Sequence, residues 1–119
     1  MQNRKDLSER LLDFAASSIK LTVKLKRTAV GRYMANQLMR AASSSGANYE
    51  EACGAESKAD FIHKMQLVLK ELRESLYWLK LVERTGLISG EVLTALVNEA
   101  NELTKIIAKS VITAKGEGK

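Results

Sequence analysis

Apolar residues recur at steps of three and four along most of the chain, which is the spacing of one buried helix face. Four amphipathic segments can be separated in this way, and each junction between them is short and polar or contains glycine. The four segments span approximately residues 6–26, 28–56, 57–84 and 89–113. The pattern therefore predicts four helices joined by short links.

Residues that cap helices stand at these junctions. Thr28, Ser57 and Ser89 each precede a segment, where a hydroxyl can accept a hydrogen bond from the first helical turn. Asp60 follows Ser57 by three residues, as in a capping box, and Gly86 is placed to end the third helix. Because short links make consecutive helices antiparallel, we predict an all-α, antiparallel up-and-down four-helix bundle.

Each helix carries an apolar stripe for the core of this bundle. On the first helix the predicted core residues are Leu7, Leu11, Phe14, Leu21 and Leu25, with Leu12, Ile19 and Val23 beside them. On the second they are Val30, Met34, Leu38, Ala41, Ser45, Tyr49 and Ala52. On the third and fourth they are Phe61, Met65, Val68, Leu72, Leu76 and Leu79, then Val92, Leu96, Ala100, Leu103, Ile107 and Val111. We assign residues 1–119 to one domain with a polar tail over about 114–119.

A polar stripe runs beside the apolar one on the second helix. Its members are Gln37, Arg40, Ser44, Asn48 and Glu51, which follow steps of three and four. We expect this stripe to be buried, so its side chains need partners, because each unpaired buried polar group costs about 1–3 kcal/mol. The antiparallel register of helices two and three places Arg40 beside Glu74, and Glu51 near His63 or Lys64. We predict an Arg40–Glu74 ion pair within an internal polar network made of the stripe and Glu74.

The net charge of +5 is concentrated near the start of the chain. Residues 1–40 contain nine Lys/Arg against three Asp/Glu, whereas residues 41–84 contain six against seven. Basic residues along the first helix and the segment that follows it include Arg4, Lys5, Lys20, Lys24, Lys26, Arg27 and Arg32. Our candidate nucleic-acid contacts, called the basic surface below, are Lys20, Lys24, Lys26, Arg27 and Arg32. The alternative is a solvated face that only keeps the protein soluble.

The residue pattern does not favour catalysis or a cofactor. Glu50 and Glu51 are adjacent, so they point about 100° apart and cannot form a matched acid/base pair. Asp60-x-x-His63 contains the one histidine of the chain, without the facing motif that a di-metal bundle requires. Cys53 has no second cysteine for a disulfide. We expect no enzyme, metal or cofactor. The absence of a signal peptide and of a membrane-length apolar run predicts a cytoplasmic protein without a membrane partner.

The aromatic residues leave alternatives open. Tyr77 and Trp78 are adjacent on the third helix, so at most one can point fully into the core and the other should lie near a surface. Trp78 either packs against a neighbouring helix or forms a subunit contact, because aromatic residues are favoured at interface centres. Tyr33 follows Arg32 at the basic surface and is therefore the better aromatic candidate for touching a nucleic acid.

The spacing from Gln37 onward resembles a known family. The resemblance is carried by Gln37-x-x-Arg40-Ala41-Ala42-x-Ser44, Asn48-x-x-Glu51-x-x-Gly54-x-x-Ser57, Asp60-Phe61-Ile62 and Glu71-Leu72-x-Glu74. This pattern is similar to the four-helix-bundle proteins of the 23S ribosomal RNA intervening-sequence family. The resemblance implies a bacterial protein that assembles as a ring-like homopentamer and has a poorly defined molecular function.

A distant structural relative of that family also bears on function. The accessory variability protein of diversity-generating retroelements is similarly pentameric and basic, and it binds nucleic acid and a reverse transcriptase. We therefore expect a non-enzymatic, self-associating bundle that binds RNA or DNA through the basic surface. The alternative is a structural or protein-docking module without nucleic-acid binding.

Overall fold

The computed structural model describes residues 4–116, with side chains described from Asp6 onward. It contains four helices, α1 (Arg4–Leu25), α2 (Ala29–Cys53), α3 (Lys58–Thr85) and α4 (Glu91–Gly116). No strand occurs within residues 4–116, so the all-α prediction is confirmed.

The four helices form an antiparallel bundle that measures 50 × 22 × 21 Å. Each helix packs against two others, in the order α1–α2–α3–α4 and back from α4 to α1. Contacts across the two diagonals are absent among the described residues, which is the arrangement of an up-and-down bundle. The interface between α1 and α4 is the smallest of the four.

The helix termini follow the predicted capping residues in most places. Thr28 Oγ1 accepts a hydrogen bond of 2.9 Å from the backbone N–H of Gly31, and Ser57 Oγ accepts one of 3.0 Å from Asp60 N–H. The Asp60 carboxylate in turn accepts from Glu56 N–H at 3.4 Å. Gly86 ends α3 in the left-handed conformation, with φ at 71°. These local signals therefore place the starts of α2 and α3 and the end of α3 correctly.

The start of α4 and two of the predicted ends differ from expectation. Gly90, not Ser89, immediately precedes α4, and its carbonyl accepts the first helical hydrogen bond from Thr94 N–H at 3.2 Å. Its φ of 120° lies in the region that favours glycine. The second helix ends at Cys53 rather than at residue 56, since Gly54 caps it. Helix α4 continues through the predicted tail to Gly116, and residues 117–119 lie outside the described residues.

The core contains most of the predicted apolar positions. Leu11, Leu38, Leu72, Leu103 and Ile107, which come from all four helices, have no exposed surface. Burying such a side chain stabilises the fold by about 1.5–3 kcal/mol relative to leaving it in water. The bundle is therefore held mainly by its own apolar core.

Five residues predicted in or beside the core are instead on the surface. Val30 and Val92 lie in the first turns of α2 and α4 and are 63% and 60% exposed, because these turns begin at the end of the bundle. Leu12, Ile19 and Val23 of α1 are also exposed. Leu12 directly follows the buried Leu11, so it lies about 100° around the helix, outside the core-facing arc. Leu12, Ile19 and Val23 together form an aliphatic line on the outside of α1.

Candidate functional site

The polar stripe of α2 lies along the outer rim between α2 and α3. Gln37, Ser44 and Asn48 are half-buried, whereas Arg40 and Glu51 are exposed. The expectation that this stripe is buried is therefore wrong for the single chain. The stripe is displaced around α2 from the core-facing positions, and α3 covers only its inner side.

Two sets of ion pairs join this stripe to α3. Arg40 contacts Glu74 through Nη2, as predicted, and its Nη1 donates to Glu71 Oε1 at 3.2 Å. Lys64 Nζ donates to Glu51 Oε1 at 2.6 Å, and this hydrogen bond raises the pKa of Lys64. Such exposed pairs add little stability, so they contribute mainly to the register of α2 and α3.

Asn48, by contrast, bonds within its own helix. Its Nδ2 donates to the carbonyl of Ser44 at 2.9 Å. The structure therefore brings Arg40, Glu51 and Glu74 into contacts between α2 and α3, but it does not unite the whole stripe into one internal network.

A further ion cluster joins α1 to α4 and escaped the sequence analysis. Arg10 donates from Nε and Nη2 to the two carboxylate oxygens of Glu99 at 3.0 and 2.7 Å, and from Nη2 to Glu102 Oε1 at 3.0 Å. The hydrogen bond with Glu99 is the main cause that raises the pKa of Arg10. Glu99 and Glu102 are three residues apart on one face of α4, and this spacing is the sequence signal that could have indicated a shared cation.

The basic surface occupies one end of the bundle, where α1 ends and α2 begins. All five of its residues are exposed. Lys24 and Arg27 line an open cleft of about 340 Å³, together with Leu87, Ile88 and other residues of the two links at this end. Arg32 Nη1 donates to the carbonyl of Lys26 at 3.4 Å, which holds the guanidinium over the link. The surface thus combines charge from α1, the link and α2.

The cations of the basic surface lie outside the ion pairs of the described residues. Within residues 6–116, ion pairs engage Arg10, Arg40 and Lys64, but none engages a member of the basic surface. The side chains of Arg4 and Lys5, which belong to the same basic stretch of sequence, lie outside the described residues. The end of the bundle therefore presents five exposed cationic groups that lie in no ion pair within the part of the chain that the structure describes.

Three aromatic side chains meet on the outer face of α2 and α3, and we call them the aromatic patch. Tyr33 and Trp78 have ring centroids 5.7 Å apart, and Tyr77 and Trp78 have centroids 5.2 Å apart, both edge to face. Trp78 is half-buried, while Tyr77 is 59% exposed. The prediction that only one of these neighbours turns inward is confirmed.

Residues singled out for chemistry remain scattered. His63 is exposed and the Cys53 thiol is half-buried. Among the described residues, no group of three or more His, Cys, Asp or Glu side chains is arranged to hold a metal ion. None of the helices in residues 4–116 combines the length and apolarity needed to cross a membrane.

These features define an all-α four-helix-bundle protein whose charged groups lie on its surface. The model of the 23S rRNA-intervening sequence protein family matches residues 5–109, and the chain belongs to that family. The resemblance seen in the sequence is confirmed.

A crystal structure from the S23 ribosomal protein family of Bacteroides thetaiotaomicron, of a protein of unknown function, is similar to this chain. The two sequences are 34% identical, and the match covers 88% of this chain and 97% of the other, with a TM-score of 0.79. No curated protein matches the chain. Family membership therefore fixes the fold and leaves the activity to be argued from the surfaces.

Proposed function

We propose that this chain is a non-enzymatic, self-associating cytoplasmic bundle that binds the phosphates of RNA or DNA through its basic surface. The observation that carries the proposal is the group of five exposed cationic side chains at one end, none of them in an ion pair among the described residues. Free cations of this kind attract phosphates and release counterions from the nucleic acid. Binding of this type carries little sequence preference.

The test is a salt titration of binding, measured by fluorescence anisotropy with labelled RNA and DNA. If all five side chains neutralise phosphates, the logarithm of the association constant should fall with the logarithm of salt concentration with a slope of about −3.5 for single strands and about −4.5 for duplex DNA. Absence of association at low salt would contradict the proposal.

Paired variants separate a specific surface from general attraction. In the first variant, glutamine replaces the five cations of the basic surface, Lys20, Lys24, Lys26, Arg27 and Arg32. In the matched control, glutamine replaces five exposed cations of α3 and α4 that lie away from this end, Lys58, Lys70, Arg73, Lys105 and Lys109. The net charge changes equally, so only the first variant should lose the salt-dependent binding. Equal loss in both variants would show that overall charge, not this surface, attracts the nucleic acid.

Self-association is the second part of the proposal, and the aliphatic line on α1 supports it. Leu12 and Val23 are 63% and 69% exposed, and Ile19 lies on the same face. Exposed apolar residues aligned on one helix favour contact with another copy of the chain. We propose a homopentamer, and light scattering after nuclease treatment measures its mass against the chain mass of 13.2 kDa. A nucleic-acid-free monomer would refute the assembly.

The same exposed apolar residues also favour the alternative function, a protein-docking module. A protein partner recovered equally well by the wild-type chain and by the variant without the basic surface would support that alternative. Loss of the partner together with the five cations would oppose it.

A further inference from the structure

Half of the chain's aromatic residues converge on one exposed site. The chain has one tryptophan, three tyrosines and two phenylalanines, and the aromatic patch contains the tryptophan and two of the tyrosines. Tyr33 is 60% exposed and Tyr77 is 59% exposed, although each ring could bury about 150–250 Å² of surface. Most of what a tyrosine ring can contribute to packing is therefore unused at both positions.

The patch adjoins the basic surface. Tyr33 directly follows Arg32, whose guanidinium is bonded to the carbonyl of Lys26 in the basic link. On the other side of the patch, Glu74 lies three residues before Tyr77, and its carboxylate is engaged by Arg40. The negative charge of Glu74 beside the rings is thus partly compensated. A nucleic acid whose phosphates lie on the basic surface would therefore have the aromatic patch next to it.

Phosphate contacts alone do not read whether the bases of a strand are paired. Exposed aromatic rings favour single strands, because unpaired bases can stack on them whereas the bases of a duplex stay paired. This stacking tolerates any base. We infer that Tyr33 and Tyr77 stack unpaired bases of a strand whose phosphates lie on the basic surface, so that the ligand is single-stranded RNA or DNA. This inference rests on the proposed function. Trp78 contacts both tyrosines and acts as the positioning residue between them.

The experiment compares Tyr33→Leu and Tyr77→Leu with the wild-type chain and with an Ile112→Ala control. Leucine keeps an apolar side chain with high helix propensity, and Ile112 is 71% exposed on α4, outside the patch. The probes are a mixed-sequence RNA strand, its DNA counterpart and the same DNA annealed to its complement. Each tyrosine variant should bind the single strands about five-fold more weakly or worse, with unchanged duplex binding and an unaffected control.

Trp78 supplies a second readout because it is the one tryptophan of the chain. Its fluorescence should be quenched when the wild-type chain binds a single strand and should stay unchanged when it binds the duplex. Circular dichroism checks that each variant keeps its helical content, so a loss of binding is not a loss of fold.

Four results would overturn the inference, and they separate it from the proposed function. Unchanged binding of single strands, or equal weakening on single strands and duplex, refutes stacking while phosphate binding stands. A lower solution mass with unchanged affinity per subunit assigns the patch to contact between copies instead. Failure of the wild-type chain to bind any probe at low salt removes both proposals together.

Discussion

Two glycines of α2 should respond with opposite signs to the same substitution. A Cβ at Gly46 would meet the Cβ of Leu11 at 3.7 Å, which is ordinary van der Waals contact. A Cβ at Gly31 would lie 1.9 Å from the carbonyl oxygen of Leu25 and 2.8 Å from Thr28 Oγ1. The first site accepts a methyl group, whereas the second requires the α1–α2 link to move.

The expected magnitudes follow from these contacts. Replacing a glycine inside a helix by alanine gains roughly 0.5–1 kcal/mol, so Gly46→Ala should raise the free energy of unfolding by about that amount. At Gly31 the same gain is outweighed by overpacking of about 1–3 kcal/mol and by disturbance of the Thr28 cap, which is worth about 1 kcal/mol. We expect a net loss of about 1–3 kcal/mol in Gly31→Ala.

Urea denaturation at one fixed protein concentration measures both variants, because the proposed self-association would make stability depend on concentration. Thermal melting should show shifts of about 3–6 °C for each kcal/mol in a chain of this length. Gly46→Leu is the control, since its larger side chain cannot fit against α1 and should destabilise the bundle. If Gly46→Ala lowers stability, or if Gly31→Ala leaves it unchanged, the helix contacts described above are wrong.

Three further predictions concern single contacts. Thr28→Ala should lower the free energy of unfolding by about 1 kcal/mol, measured by thermal melting. An unchanged melting temperature would show that the Thr28 cap does not stabilise α2. A double-mutant cycle of Arg10→Met and Glu99→Gln should give a coupling of about 1–2 kcal/mol, a value between those of surface and buried pairs, and additive effects would refute a direct Arg10–Glu99 interaction. Because Glu51 raises the pKa of Lys64 above its usual 10.5, their attraction should be present below pH 10.5 and be lost as pH rises through the raised pKa. Glu51→Gln should therefore lower the pKa of Lys64 in an NMR titration of its ammonium group, and an unchanged value would oppose the pairing.

The sequence specifies the helices and most of their ends because those signals are local. The Thr28 and Ser57 hydroxyls act within three residues, and Gly86 supplies a backbone conformation that other residues rarely adopt. The prediction that Ser89 caps α4 was wrong because Gly90, beside it, is an equally local signal. Sequence alone does not decide between a serine cap and a glycine at the start of a helix. Low helix propensity favours an interruption at Ser43-Ser44-Ser45-Gly46, but α2 continues through these residues, since Gly46 packs against Leu11 of α1.

Contacts between helices were predictable only where a short link fixes their register. The Arg40–Glu74 pair follows from the tight α2–α3 junction. The Arg10–Glu99 pair depends on all three links at once, so no local rule places it. Helical periodicity also gives the direction of the polar stripe but not how far α3 covers it, which is why its burial was overestimated. The role of the basic surface in binding nucleic acid stays a prediction.

The small interface between α1 and α4 has a consequence for folding kinetics. The other three interfaces join helices that are consecutive in the chain, so each can form as a helical hairpin with a low loop-closure cost. At the α1–α4 interface, Arg10 contacts Glu99 and Glu102, which are 89 and 92 positions further along the chain. These contacts should form only after the α1–α2 and α3–α4 hairpins have assembled. The bundle should therefore fold quickly, with the α1–α4 interface forming last and opening first. Amide hydrogens of α1 and α4 should then exchange with solvent before those of the α2–α3 hairpin.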